Sequence, residues 1–114
     1  MEDCVFCKIV KGDIPCSKVY EDERILAFKD INPEAPVHIV IIPKEHITSI
    51  NQLSDKNSEI VSHIFLVIKK IAGEQGIAEK GYRVITNCGE QGGQTVPHLH
   101  FHLLGGKILA TTMG

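Results

Sequence analysis

From residue 97 to residue 104 the chain alternates. Leu99, Phe101 and Leu103 fall on one side of an extended backbone, and His98, His100 and His102 fall on the other. Successive side chains of a strand point to opposite faces, so the pattern predicts a strand with one face against a core and a row of imidazoles on an accessible wall. Residues 37–42, Val-His-Ile-Val-Ile-Ile, are apolar on both faces and end at Pro43, as a central strand does. Two further strands are expected over residues 17–21 and 25–29, joined at Asp22-Glu23, and another over residues 81–87. Ile60, Val61, Ile64, Phe65, Val67, Ile68, Ile71 and Ala72 recur at helical spacing, with Ser54 as N-cap and Gly76 as the stop near Gln75. His63 lies on this helix and reads as a surface residue. Residues 3–11 predict a short helix stopped by Gly12 and Pro15. Together these elements make an α+β domain: an antiparallel five-stranded sheet, one long helix and a short N-terminal helix.

Composition narrows the class. A length of 114 residues suits a single domain over residues 1–114, and 43% hydrophobic with 23% charged residues is the balance of a folded globular chain. A net charge of −2 gives no electrostatic reason to expect a nucleic-acid polymer as partner, although a nucleotide needs only a local site. No apolar run reaches the ~20 residues of a membrane span, and Met1-Glu2-Asp3-Cys4 does not open a signal peptide, so a cytoplasmic location without membrane partners is expected. In that compartment the close pair Cys4 and Cys7 reads as metal-binding or redox-active, or as a buried pair, rather than as part of a disulfide framework.

The histidine row carries the candidate chemistry. On a straight strand the outer two Cα atoms lie about 13 Å apart, too far for three rings to share one metal. Gly92-Gly93 lets the backbone approach a ligand closely, and bared peptide N–H groups beside Gln94 and Thr95 suit an anion. An imidazole there can attack phosphorus while a neighbouring ring offsets charge. Asp30 is either a turn residue or an acceptor for ribose hydroxyls. His38 is either a satisfied core histidine or part of the site.

His98-Leu99-His100-Phe101-His102-Leu103-Leu104 resembles the signature of the histidine triad (HIT) family, His-φ-His-φ-His-φ-φ with φ apolar. The similarity continues through residues 87–96, 27–31 and 38–47 and covers nearly the whole chain. The branch most similar is that of the Hint-like purine nucleoside phosphoramidases. The resemblance implies the HIT fold, a homodimer with a continuous sheet, and a hydrolase acting on purine nucleotides of the AMP or GMP type through a nucleotidyl-histidine intermediate. It makes His100 the nucleophile, with His102 and Asn87 on phosphate oxygens and Thr95 at the leaving group. The backbone of Gly93, Gln94 and Thr95 forms the cradle, and His38 supports His100 from behind. Ribose contact falls to Asp30, and Phe6, Ile9, Phe28 and Ile31 form an apolar slot that sandwiches the base. It also implies a structural zinc on Cys4, Cys7, His46 and His98. Alternatives are a dinucleoside polyphosphate hydrolase of the same family and a non-catalytic nucleotide sensor. After Gly105-Gly106 the chain departs from the family, lacking the usual tryptophan.

Overall fold

The computed structural model describes residues 3–113. Five strands form one sheet in the order β1-β2-β3-β5-β4: β1 (Lys18–Glu21), β2 (Ile25–Lys29), β3 (Val37–Pro43), β4 (Tyr82–Ile85) and β5 (Phe101–Gly105). Every neighbouring pair is antiparallel. The register sets Val40 opposite His102 and Ile41 opposite Phe101, so alternate residues of β3 and β5 share a face.

Both faces are covered, which explains why β3 is apolar throughout. On one face α2 (Glu59–Glu74) packs Ile60, Ile64, Val67, Ile68 and Ile71 against Ile25, Ile39, Ile41, Phe101 and Leu103. On the other, Cys4 and Phe6 of the α1 segment (Val5–Lys11, N-capped by Cys4) meet Leu26, Phe28, Val40 and Ile42. His38 and His102 share parity with Val40 and therefore belong to this second face.

The long helix starts later than its pattern suggests. Ser54 does not cap it; α2 begins after Ser58. Ser54 N–H instead donates to Asn57 Oδ1 at 2.7 Å, and Ser54 Oγ accepts the Lys56 N–H at 3.2 Å. Such local bonds close a turn in competition with the first turn of a helix. The C-terminus ends as expected, with Gly76 at φ 73° and Ile77 N–H reaching back to the Ala72 carbonyl. His63 is not a free surface residue: its Nε2 lies 2.7 Å from Asp22 Oδ2 and ties α2 to the β1–β2 turn. No helix among the described residues is long and apolar enough to cross a membrane.

Candidate active site

The histidine row is only partly strand, and it is not an accessible wall. β5 begins at Phe101, so His102 alone of the three lies in the ladder. Pro97 has no N–H to give, and the His98 and Leu99 amides bond Val96 and Ile47 carbonyls rather than a neighbouring strand. Alternation of side chains survives, with Leu99, Phe101 and Leu103 in the core. His98 is fully buried and His100 is 5% exposed, because α1 lies over them. Phe6 presents its ring edge-on to His98 and His100, with centroids 5.8 and 5.1 Å away.

Hydrogen bonds fix the tautomer of each ring. His100 Nδ1 is 2.7 Å from the His98 carbonyl, which can only accept, so the proton sits on Nδ1 and Nε2 keeps its lone pair. His102 is set the opposite way, through His38. Glu34 N–H donates to His38 Nδ1 at 3.0 Å, which leaves the His38 proton on Nε2, and that nitrogen is 2.9 Å from His102 Nδ1. His102 must then carry its proton on Nε2. Two imidazoles with centroids 5.1 Å apart therefore offer one lone pair and one donor. His38 supports His102 and not His100, a correction to the expected pairing.

Charge follows from burial. Burial lowers the His100 pKa below its ordinary value, against the pull of the His98 carbonyl bond. Burial, then the neighbouring His100 and His38, lower His102 to about 4, opposed by Asp30. Both rings are neutral at physiological pH, as a nucleophile and an uncharged donor require. The linkage has a definite sign. Between pH 6.5 and about 4 the unfolded chain takes up a proton at His102 that the folded chain refuses. Stability from this group is complete above pH 6.5 and falls as pH drops towards 4. Urea unfolding followed at fixed ionic strength across that window checks it; a flat profile would contradict it.

Asp30 joins these rings, its Oδ2 3.4 Å from His38 Nε2 while Oδ1 accepts the Asn32 N–H. The pairing of Asp30 with His38 and the part played by the Glu34 amide were not foreseen, and no residue pattern signals either. Of the four residues expected to line the base slot, Phe6 and Phe28 meet edge to face with centroids 5.7 Å apart, Ile9 is half-buried and Ile31 is 92% exposed.

The glycine turn is braced from within. The expected cradle amides of Gly93 and Gln94 are spent on the Glu90 and Gly89 carbonyls, both at 3.0 Å. Asn87 Nδ2 donates to the Gly92 carbonyl at 2.7 Å, and the Gln94 side chain bonds Gly89 N–H, the Thr48 carbonyl and the Val96 carbonyl. Gly89 and Gly93 take positive φ of 75° and 80°, which makes the tight reversal possible. Thr95 stands exposed where this turn ends.

Cys4, Cys7, His46 and His98 come together, their ligand atoms within 4.8 Å of one another. Nδ1 of His98 is 3.3 Å from Cys4 Sγ and 3.6 Å from Cys7 Sγ, and Nδ1 of His46 is 3.3 Å from Cys7 Sγ. A tetrahedral ion with bonds of about 2.3 Å to sulfur and about 2.0 Å to nitrogen would set its S···N edges at about 3.5 Å, so the residues fit a metal. His98 also has the tautomer a ligand needs, since Nε2–H donates to the Pro43 carbonyl at 2.8 Å and leaves Nδ1 facing the thiols. Burial, then the adjacent Cys4 sulfur, raise the Cys7 thiol, a penalty that metal binding would relieve by displacing the proton.

Comparison with known proteins gives a consistent picture. Residues 3–114 match a family model described as the scavenger mRNA decapping enzyme C-terminal binding domain. A HIT-like protein of Synechococcus elongatus is 47% identical over 113 residues, 99% of this chain and 98% of that protein. The purine nucleoside phosphoramidase of Escherichia coli K12 is 45% identical over 108 residues, covering 95% and 91%. Among solved structures, a histidine triad protein from Clostridium difficile superposes with a TM-score of 0.96 at 55% identity, covering 99% of this chain and 98% of that one. A HIT family hydrolase from Clostridium thermocellum does so with a TM-score of 0.96 at 54% identity and the same coverage.

Proposed function

This chain belongs to the histidine triad family, and from that premise we propose that it is a single-domain hydrolase of purine nucleoside phosphoramidates, working through a nucleotidyl-histidine intermediate. The observation that carries the reading is the opposite tautomers of His100 and His102. The Nε2 lone pair of His100 attacks the α-phosphorus, and the P–N bond breaks with its electron pair going to nitrogen. The departing amine must gain a proton, which the Thr95 hydroxyl relays from a solvent water, and the water that attacks in the second step gives one back to solvent. His102 Nε2–H and the second amide hydrogen of Asn87 hold phosphate oxygens, and Asp30 takes the ribose hydroxyls. Water then attacks phosphorus, the bond to His100 breaks, and a nucleoside monophosphate such as AMP or GMP leaves with His100 neutral again.

A bound zinc would be held by Cys4, Cys7, His46 and His98, and with all four positions filled by protein its role is structural. A homodimer completes the reading. It is supported by β4 lying at the open edge of the sheet and by Phe65, Leu66 and Tyr82 being large, apolar and exposed.

A turnover panel tests the proposal. A fluorogenic adenosine phosphoramidate should be hydrolysed at least about a hundredfold faster than a diadenosine polyphosphate, a discrimination of about 2.7 kcal/mol. The reverse ranking would select the polyphosphate hydrolase, and AMP binding with neither substrate turned over would select a sensor. The glycine turn has its own prediction. A Cβ on Gly92 would lie 2.4 Å from the Cys88 carbonyl oxygen, a backbone atom that cannot step aside. Gly92→Ala should therefore open the turn and weaken AMP binding by about tenfold with an unchanged far-UV spectrum. Calorimetric titration checks it, and wild-type affinity would contradict it.

A further inference from the structure

The substituent on the departing nitrogen needs a place of its own. Attack on phosphorus and departure from it lie roughly in line, so the amine leaves on the side away from His100. A cavity of about 600 Å³ adjoins the glycine turn, within the range that small-molecule sites occupy. Thr95 lines it and none of the histidines do, so it meets the site at the end where the leaving group departs.

The inner wall of this cavity is held by its own bonds. Ser49 is buried, and its hydroxyl donates to Gln52 Oε1 at 2.8 Å. The Gln94 amide nitrogen donates to the Thr48 and Val96 carbonyls, and its oxygen accepts the Gly89 N–H. Gln52 keeps its amide hydrogens, which suit a hydroxyl or a carbonyl. The rim has a different character. Glu90 is exposed there, and its backbone is tied down by the Gly93 N–H, which donates to the Glu90 carbonyl at 3.0 Å. Among the described residues its carboxylate enters no ion pair, and no lysine or arginine lines the cavity. The one formal charge offered to an occupant is therefore negative.

We propose that this cavity receives the leaving-group substituent and that Glu90 is a specificity-determining residue, favouring amines that carry a second, positively charged nitrogen away from the scissile P–N bond. The proposal rests on the phosphoramidase reading and narrows its substrate class to phosphoramidates of diamines and similar cationic amines. An ammonium at the rim pairs with the Glu90 carboxylate, whereas a carboxylate on the substituent meets a like charge. Because the rim is exposed, the preference is modest, about fivefold, and salt screens it.

Three adenosine phosphoramidates of matched chain length test this, made from diaminopentane, pentylamine and aminopentanoate. At low salt, kcat/KM of the wild-type protein should favour diaminopentane over pentylamine by about fivefold. Pentylamine should exceed aminopentanoate by a similar factor, and both ratios should shrink as salt rises. Glu90→Gln should bring the ratios to about one, and Glu90→Lys should reverse the order. The salt series on wild-type protein reads the same charge preference without any variant. Wild-type ratios near one, or ratios that Glu90→Gln leaves untouched, would overturn the proposal while hydrolysis of all three keeps the phosphoramidase reading standing. If none of the three is hydrolysed, that reading falls, and calorimetric affinities of the same compounds decide the cavity separately. The same charge ranking in binding would keep the role of Glu90, and equal affinities would end it.

Discussion

His100→Ala is expected to lower turnover of an adenosine phosphoramidate by about 10⁴-fold or more while AMP still binds within about threefold of the wild-type affinity. The substitution removes the one Nε2 lone pair that the tautomer pattern leaves available, since His102 Nε2 carries a proton and His98 Nε2 is bonded to the Pro43 carbonyl. It takes away few binding contacts, because Asp30, His102, Phe28 and Phe6 remain. It also leaves no buried donor stranded: the group that loses its partner is the His98 carbonyl, and under-satisfied carbonyls are tolerated better than orphaned N–H groups. Steady-state kinetics with calorimetry on the same preparation separates the two effects. A rate within tenfold of wild type would mean that water attacks phosphorus directly or that another ring serves.

Leu103→Ala should cost about 3 kcal/mol of stability, the middle of the range for truncating a buried leucine. Leu103 is fully buried at the centre of β5, opposite Ile39 of β3 and Val84 of β4, and belongs to the cluster beneath α2. Both neighbouring strands are held by their own ladders, so the site cannot collapse to fill the void. The exposed Ile108→Ala, after β5, is the control and should change stability by less than about 0.5 kcal/mol. Urea denaturation of the two variants reads the difference directly, and equal losses would contradict the burial pattern. The consequence for function is immediate, because β5 also carries His102 on its other face.

That pair of faces was legible in the sequence, and the reason is physical. Burial under α2 demands an apolar residue at every second position, and the same alternation forces the histidines to the opposite side. What the sequence could not carry is which nitrogen of each ring holds its proton. That depends on the Glu34 amide and on the carbonyls of His98 and Pro43, which are backbone groups present in every residue and invisible as a pattern. The metal-ligand cluster divides in the same way. Cys4 and Cys7 announce themselves by spacing, whereas His46 and His98 were reached only through the family resemblance, since 52 residues separate them from each other. The start of α2 was misplaced because Ser54 is as good a turn former as an N-cap, and only the bond from its own N–H to Asn57 decides between them.

The central claim is that phosphorus is transferred to His100 before it reaches water. A single-turnover reaction with adenosine phosphoramidate radiolabelled at the α-phosphorus, quenched in alkali, tests it most directly. Wild-type protein should retain acid-labile label on the chain during the first turnover, and His100→Ala should retain none. Equal label on both proteins would contradict the account.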